Sequence, residues 1–260
     1  MTRFALACAS HSEAILQANL ARSPCLAGIP LHVERNAPSA AAAYNRALDA
    51  TDAEVVIFAH HDVYLPKGWD RLLAARPAEV EALDRDWALY GTFGVALDAA
   101  HIGPVWSSSL GQIVGRVPLA PVEVQSFDEL LIVLRRSSGL RFDEDLGGWH
   151  FYGTDIVAQA RARGLRAWAG ALPCIHNDRF HDALGPDFAA AYRAMRRKWR
   201  RHLPLRSPIT KISRSGLHLI RDTWHARGSK DFRESMALDT GTPVETLAAR
   251  CGWSDLSASA

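Results

Sequence analysis

A short apolar run in the first quarter of the chain constrains the fold more than any other feature. Residues 55–59 are Val-Val-Ile-Phe-Ala, with no polar residue between them. A β-branched run of this length is typical of a strand that is buried on both faces, as in a parallel sheet. The run stops at His60, His61 and Asp62, whose side chains bind protons or metal ions. Ligands of open α/β sheets bind beyond the carboxyl ends of the strands, so we expect a polar site at this point.

The sequence on either side of this run alternates between strand and helix patterns. Strands are predicted at residues 4–9 and 29–33, and helices at 40–50 and 68–83. This alternation predicts an α/β fold with a parallel sheet and right-handed crossovers. Neither the G-x-G-x-x-G dinucleotide fingerprint nor the P-loop pattern occurs in the chain. The remaining predicted elements are strands at 87–95, 122–125, 130–135 and 165–171 and a helix at 154–163.

The distribution of charge divides the chain near residue 184. Residues 187–230 contain twelve Lys or Arg against two Asp, although the whole chain carries a net charge of only +2. A basic helix is predicted at residues 188–202. We therefore predict an α/β domain over residues 1–184 and a basic, mainly helical C-terminal extension over residues 185–260.

Cysteine usage and hydropathy bear on the compartment. The four cysteines lie far apart and form no C-x-x-C pair, which favours reduced thiols over disulfide bonds or a zinc ribbon. No secretion signal is apparent, and no apolar stretch approaches the roughly 18–20 residues of a membrane span. We expect a cytoplasmic protein, and we leave open a peripheral contact between its basic extension and the inner membrane face.

Three acidic or imidazole side chains that are far apart in sequence follow predicted strands or begin a helix. Asp62 follows the central strand, His176 follows the last predicted strand, and Asp155 begins a predicted helix. Asp62 and His176 are suited to share one divalent cation with ligand phosphates, because hard cations prefer oxygen and Mn²⁺ also accepts imidazole. Asp155 is then the carboxylate in position to take a proton. Two structural interpretations stay open: Asp155 stabilises the helix N-terminus, and His176 is a loop residue.

The order of these motifs resembles the family 2 type of GT-A glycosyltransferase, which uses nucleotide-diphosphate sugars. The matching motifs are His-x-Asp-Val at residues 60–63, Phe-Asp-Glu at 142–144, the segment 150–155 that ends in Thr-Asp, a strand ending in His176, and residues 39–48, which are similar to the helix with the family's Asn-x-Ala/Gly-Leu signature. Together they cover about residues 3–178. The resemblance implies an α/β fold of the GT-A type, a Rossmann-like mixed, mostly parallel sheet flanked by helices.

The resemblance also implies a role for individual residues. Asp62 and His176 would hold the Mn²⁺ or Mg²⁺ ion that bridges the diphosphate, and Asp155 would be the general base on the acceptor hydroxyl. Two residues depart from the family pattern, since His60 and Thr154 stand where the family has Asp and Glu. Trp149 and His150 would line the sugar and acceptor side. The nucleotide would be bound by Ala9, Ser10, Glu34, Asn36, Asn45 and His60.

The implied reaction is a single sugar transfer with inversion of configuration. The leaving nucleotide diphosphate accumulates negative charge, which a metal ion and an imidazole stabilise. One carboxylate base on the opposite face of the sugar implies inversion without a covalent intermediate. Because the Q-x-x-R-W motif of processive synthases is absent, we expect a non-processive enzyme. A UDP-sugar is the donor we expect first, with GDP and dTDP open, and the acceptor is a glycan, a lipid or a protein.

Two other function classes stay open. A metallohydrolase would draw zinc or two metal ions to a histidine- and aspartate-rich set. The consecutive residues His61 and Asp62 would point to opposite sides of an extended strand, which counts against it. The hydrolase ligands would come from His60, His61, Asp62, His176, His181 and Asp182.

A non-catalytic binding module would use the basic segment with Tyr192 and Trp199 to bind an anionic lipid surface or nucleic acid. A solvated basic face is the simpler interpretation of this segment, and we expect no nucleic-acid partner.

Overall fold

A computed structural model describes residues 3–259, which form fifteen β-strands and eight α-helices. The strands are β1 (Phe4–Ser10), β2 (Leu31–Arg35), β3 (Val55–His60), β4 (Val63–Tyr64), β5 (Trp87–Gly91), β6 (Gly94–Ala96), β7 (His101–Ile102), β8 (Val105–Ser107), β9 (Gln112–Val114), β10 (Val122–Phe127), β11 (Leu131–Arg135), β12 (Arg166–Ala169), β13 (Cys174–His176), β14 (Leu205–Arg206) and β15 (Lys211–Ile212). The helices are α1 (Glu13–Ala18), α2 (Ala40–Asp49), α3 (Trp69–Leu83), α4 (Tyr152–Ala162), α5 (Pro186–Lys198), α6 (Leu217–Gly228), α7 (Lys230–Met236) and α8 (Val244–Arg250).

A nine-stranded mixed sheet lies at the centre, in the order β2-β1-β3-β11-β5-β12-β10-β6-β7. Strand β1 pairs in parallel with β2 and β3, and β12 pairs in parallel with β5. Strands β11, β10 and β7 run against the other six. The predicted α/β class, a mostly parallel mixed sheet flanked by helices, is confirmed.

Strand β3 is apolar throughout because both faces of the sheet are covered. Val56 and Phe58 belong to a core cluster that includes residues of α2 and α4. The alternate residues Val55, Ile57 and Ala59 belong to a second cluster that includes residues of α3. Successive side chains of a strand point to opposite faces, so burial on both sides requires the unbroken apolar run seen in the sequence.

A smaller four-stranded sheet continues from the carboxyl end of β3, in the order β4-β13-β8-β9. Strand β13 pairs antiparallel with β4, so that His176 lies opposite Val63. The N–H of Asn177 donates to the carbonyl of Asp62 at 2.9 Å. This pairing places the end of β13 beside the polar residues that follow β3.

The C-terminal helices pack onto the α/β part of the molecule. Tyr192 and Met195 of α5 share a core cluster with Ala158 of α4. Leu247 of α8 packs in another cluster with Ile175 of β13. The sequence beyond residue 209 gave no sign of this core, because α8 is only seven residues long and supplies few apolar side chains. The division at residues 184 and 185 stays a prediction.

Most predicted elements agree with the structure to within a few residues, but the strand predicted at 87–95 is two strands. Thr92 and Phe93 separate β5 from β6. Strand β5 pairs with β11 and β12, whereas β6 pairs with β10 and β7. Within residues 3–259, none of the helices is long and apolar enough to cross a bilayer.

Candidate active site

Three potential metal ligands meet at the carboxyl end of β3. His60 is the last residue of β3, Asp62 follows two positions later, and His176 ends β13. One ligand atom from each residue lies within 4.8 Å of the others. Nε2 of His176 lies 3.4 Å from Oδ1 of Asp62, and Nδ1 of His60 lies 3.9 Å from the same oxygen. Among the described residues this is the one group of three or more such ligands.

The chemistry of this group fits a divalent cation. The Oδ1 atom of Asp62 is buried and has no hydrogen-bond partner within the described part of the chain. A buried carboxylate oxygen that lacks a partner is costly unless a donor or a cation satisfies it. Two imidazoles and one carboxylate form a ligand set that suits Mn²⁺ and also Zn²⁺.

The protonation states of the three residues follow from burial and mutual attraction. Burial raises the pKa of Asp62, but the imidazoles of His176 and His60 outweigh it and hold that pKa below its ordinary value. Burial lowers the pKa of His176, but Asp178 and Asp62 outweigh it and raise that pKa to about 10. Burial lowers the pKa of His60 to about 4, with Asp62 acting in the opposite direction. Asp62 and His176 therefore face each other as an ion pair, and a bound cation would compete with the His176 proton.

A tyrosine on α4 fixes the orientation of His60. The Tyr152 hydroxyl donates to the carbonyl of Glu129 at 3.0 Å, and Nε2 of His60 lies 2.8 Å from the same hydroxyl oxygen. A hydroxyl has one proton to donate, so the oxygen of Tyr152 accepts a hydrogen bond from Nε2–H of His60. Nδ1 of His60 is then the unprotonated nitrogen, and it is the one that faces Asp62.

A carboxylate faces the other side of His176, and two serines hold that carboxylate in place. Oδ1 of Asp178 lies 4.0 Å from Nδ1 of His176. The Asp178 carboxylate accepts hydrogen bonds from the Ser107 hydroxyl at 3.0 Å and the Ser109 N–H at 3.1 Å. The sequence alone did not mark these three residues, since the serines lie in a stretch without strand or helix periodicity. The signal for Asp178 was its position two residues after His176.

Two adjacent carboxyl groups lie partly buried between β10 and β11. Burial raises the pKa of Asp128, and burial together with the charge of Asp128 raises the pKa of Glu129 well above its ordinary value. Oε1 of Glu129 accepts a hydrogen bond from the N–H of Gly153 at 3.3 Å, which ties it to the first turn of α4. The sequence gave them no role, because an acidic pair between two apolar strands also suits a solvated turn.

Five of the residues predicted to bind nucleotide lie at or just after the carboxyl ends of β1, β2 and β3. In the strand register, Ala9 lies opposite Glu34 of β2 on one side and opposite His60 of β3 on the other. Asn36 follows β2 with a φ of 53°, and its N–H donates to the carbonyl of Ser10 at 3.1 Å. The carboxyl ends of three neighbouring parallel strands thus bring these residues close to the candidate metal ligands.

Asn45 lies away from that edge, on α2. Its amide group donates to the carbonyl of Phe142 and to Oε1 of Glu144, both at 2.9 Å. Its Oδ1 accepts a hydrogen bond from the N–H of Phe142 at 3.0 Å. The buried side chain therefore holds the segment after β11 against α2, and a contact with nucleotide would require these bonds to break.

Asp155 points toward α5 and not toward the three clustered ligands. Its side chain is 2% exposed, and it accepts hydrogen bonds from Nε1 of Trp199 at 2.7 Å, from Nζ of Lys198 at 2.8 Å and from Nε2 of Gln159 at 2.8 Å. The expectation that Asp62, Asp155 and His176 share one cluster is met by Asp62 and His176 alone. The general-base role of Asp155 stays a prediction, and it requires the acceptor to displace one of these donors.

Trp149 and His150 lie in the loop before α4. The Trp149 side chain is exposed, whereas His150 packs against the ring of Phe188, with ring centroids 5.4 Å apart. Nε2 of His150 lies 3.0 Å from Oδ2 of Asp187 at the start of α5. The loop is anchored next to α2, because the carbonyl of Gly148 accepts a hydrogen bond from the N–H of Ala40.

Comparison with known proteins gives distant similarities. No protein-family model matches the chain. The chain is 33% identical over 159 residues to "ATP synthase subunits region ORF 6" of Fuscovulum blasticum, and the match covers 57% of this chain and 61% of that protein. The chain thus spans less than two thirds of the length of that relative.

Two solved structures are similar in shape. A mannosyltransferase from Pyrobaculum calidifontis, PcManGT, solved with GDP-Man and Mn²⁺, matches with a TM-score of 0.45 and 15% identity over 96% of this chain and 76% of that one. The protein A197 from STIV matches with a TM-score of 0.41 and 12% identity over 66% of this chain and 83% of that one.

Proposed function

We propose that the protein is a metal-dependent glycosyltransferase that moves a sugar from a nucleotide-diphosphate donor to an acceptor hydroxyl. The observation that carries this proposal is the cluster of His60, Asp62 and His176 around one buried carboxylate oxygen that accepts no hydrogen bond from the described residues, at the carboxyl ends of the strands where ligands of α/β folds bind. The motif order that resembles the GT-A family supports the same reaction class.

The three clustered residues would hold Mn²⁺; Mg²⁺, the other ion expected from the sequence, fits two imidazoles less well because it prefers oxygen ligands. When bound, the cation would neutralise the charge that develops on the leaving diphosphate. Tyr152 keeps the ring of His60 turned so that its unprotonated nitrogen faces Asp62, and Asp178 faces the opposite nitrogen of His176. These contacts fix the ligand geometry before any ion arrives.

The donor and acceptor would bind on the two sides of this cluster. Ala9, Ser10, Glu34 and Asn36 are the proposed nucleotide contacts, since they share the strand-end edge with His60. Trp149 and His150 are the proposed sugar and acceptor contacts. A UDP-sugar remains the donor proposed first.

The proposed base is Asp155, and its present contacts set a condition on that role. The carboxylate can accept the acceptor proton only after Lys198 or Trp199 has moved away from it. With one carboxylate acting as base on the opposite face of the sugar, the proposed transfer is inverting, and the absence of a Q-x-x-R-W motif supports a non-processive reaction.

Calorimetric titration of the purified protein with UDP, GDP and dTDP, each with and without Mn²⁺, tests the proposal. We expect at least one nucleotide diphosphate to bind only when Mn²⁺ is present. Asp62→Asn should abolish the metal-dependent part, whereas Asp70→Asn, an exposed carboxylate on α3, should leave it unchanged. Metal-independent binding of every nucleotide, or none at all, would contradict the proposal.

A single-zinc hydrolase is the second candidate, because two histidines and one carboxylate are also a catalytic zinc set. The larger ligand set is not assembled. His61 faces Ser10, with Nδ1 at 2.9 Å from the hydroxyl, and the carbonyls of His181 and Asp182 accept hydrogen bonds from Arg233. Stoichiometric zinc in the purified protein together with phosphoesterase activity would favour the hydrolase over the transferase.

A further inference from the structure

We infer that helices α6 and α7 form a docking surface for an anionic lipid bilayer. The inference is independent of the proposed function, because it concerns a part of the molecule that holds none of the proposed metal ligands. The surface consists of the outward face of α6 and α7, and we refer to it as the α6–α7 face.

Helix α6 exposes a stripe of large apolar side chains. Leu217, Ile220 and Trp224 are 63%, 58% and 75% exposed. Their spacing of three and four residues puts them on one side of the helix. On α7, Phe232 is 70% exposed and is joined by Met236 one turn later. Apolar side chains of this size and number on neighbouring helices are typical of an interaction surface.

A few contacts on the opposite side of these helices join them to the rest of the molecule and direct the apolar stripe outward; neither helix has a buried residue. Leu219 packs against the core cluster formed by α5, and Asp222 accepts a hydrogen bond from the Thr210 hydroxyl at 2.5 Å. Arg233 of α7 donates to the carbonyls of His181 and Ala226. These contacts occupy the polar and apolar groups that face the protein and leave the stripe outside.

Basic residues flank the stripe along the chain. Lys211, Arg214 and Arg227 take part in no ion pair within residues 3–259. A small cavity of about 150 Å³ beside α6 is lined by Arg206, Lys211 and Arg221, among other residues, and its size suits a phosphate group. Arg221 also borders the concave surface next to Trp224. Arg221 thus joins the cavity to the apolar stripe, but it is paired with Asp222 at 2.7 Å, so the positive charge available to a partner comes from Lys211, Arg214 and Arg227.

An anionic bilayer satisfies both features. Aromatic and aliphatic side chains enter the acyl boundary while Lys and Arg meet anionic headgroups, and α6 is too short to do more than lie in the interface. A second copy of the chain fits less well, because a two-fold interface would set the same arginines against each other. Nucleic acid fits less well because its phosphate and sugar surface offers no apolar environment for the exposed aliphatic side chains.

Sedimentation of the full chain with vesicles tests this inference. Vesicles of phosphatidylcholine and phosphatidylglycerol should bind the protein, and vesicles of phosphatidylcholine alone should bind it at least about tenfold less. Trp224→Ser with Ile220→Ser should weaken binding at least about tenfold, whereas Leu97→Ser with Leu119→Ser, also exposed and apolar, should leave it unchanged. Arg214→Gln and Arg227→Gln should each weaken it roughly fivefold.

Three outcomes would overturn the inference. One is unchanged vesicle binding by the Trp224 and Ile220 variant. Another is a wild-type dimer in analytical ultracentrifugation that becomes a monomer in this variant. The third is RNA binding by the wild type that the variant loses, while anionic vesicles bind neither the wild type nor the variant. Asp62→Asn should keep full vesicle binding, so a failed transferase proposal and a failed docking surface give different results.

Discussion

The indole Nε1 of Trp199 donates a hydrogen bond of 2.7 Å to Oδ1 of Asp155, across a sequence separation of 44 residues. Lys198 and Gln159 supply further donors to the same carboxylate. The first turn of α4 is thereby joined to the end of α5, so the basic extension is attached through the residue that the sequence marked as the catalytic base.

Trp199→Phe should destabilise the protein by about 2 kcal/mol. The change keeps most of the buried ring but removes the N–H that satisfies a buried carboxylate oxygen. Urea unfolding monitored by far-UV circular dichroism measures the difference. Trp224→Phe is the matched control, since Trp224 is exposed, and equal stability losses in the two variants would contradict the anchoring role.

Asp155→Asn distinguishes two roles of the Asp155 carboxylate, a structural contact that holds α5 and a general base in sugar transfer. If the carboxylate only anchors α5, the variant loses about 1–3 kcal/mol of stability and any sugar transfer that remains falls no more than the folded fraction does. If it is the base, nucleotide binding persists while transfer by the folded protein is lost. Parallel measurements of unfolding, nucleotide affinity and transfer decide between them, and transfer at the wild-type rate would exclude the base role.

Tyr152→Phe should weaken Mn²⁺ binding roughly 10- to 100-fold. The variant removes the oxygen that accepts a hydrogen bond from His60 and so frees the ring to turn or to change tautomer. Electron paramagnetic resonance of free Mn²⁺ measures the affinity. Tyr192→Phe removes a comparable buried hydroxyl that donates to Lys211 on the C-terminal extension, and it should bind Mn²⁺ as the wild type does.

Ionisation of the Glu129 carboxyl group should lower the free energy of unfolding as pH rises. Its pKa is raised in the folded state, chiefly by burial and then by Asp128, so folding favours the protonated form. The free energy of unfolding should fall as pH increases from the unfolded value of about 4.5 toward the folded pKa. Glu129→Gln should therefore gain stability relative to the wild type as pH rises from about 5 to about 8, because the variant has no carboxyl proton to lose. Urea unfolding at both pH values measures this, with the exposed Glu81→Gln as control; a constant difference would contradict it.

Leu247→Ala should cost about 3 kcal/mol, because α8 buries this side chain completely against the smaller sheet. Thermal unfolding measures the loss, and Leu119→Ala on the surface should cost less than about 0.5 kcal/mol. A cooperative transition that includes α8 is expected. Separate melting of residues 244–250 with little change in the main transition would show that this helix is not part of the core.

Local patterns in the sequence determined the first half of the fold. The unbroken apolar residues of β3 correctly predicted a strand buried on both faces. The Ala-rich segment of α2 predicted a helix over nearly its observed length. His60 and Asp62 stand out because a buried strand ends in polar groups. Period, length and turn residues are properties of neighbouring positions, so they can be read without knowledge of the rest of the chain.

The tertiary structure decided which distant groups meet. His176 reaches Asp62 because β13 pairs with β4, and the antiparallel insertion of β11 beside β3 has no local signature. Asp155 faces Trp199 and not the metal ligands because α5 docks on α4 through its apolar side. Strand pairing and helix docking depend on the total surface that remote segments bury together, which no short stretch of sequence contains.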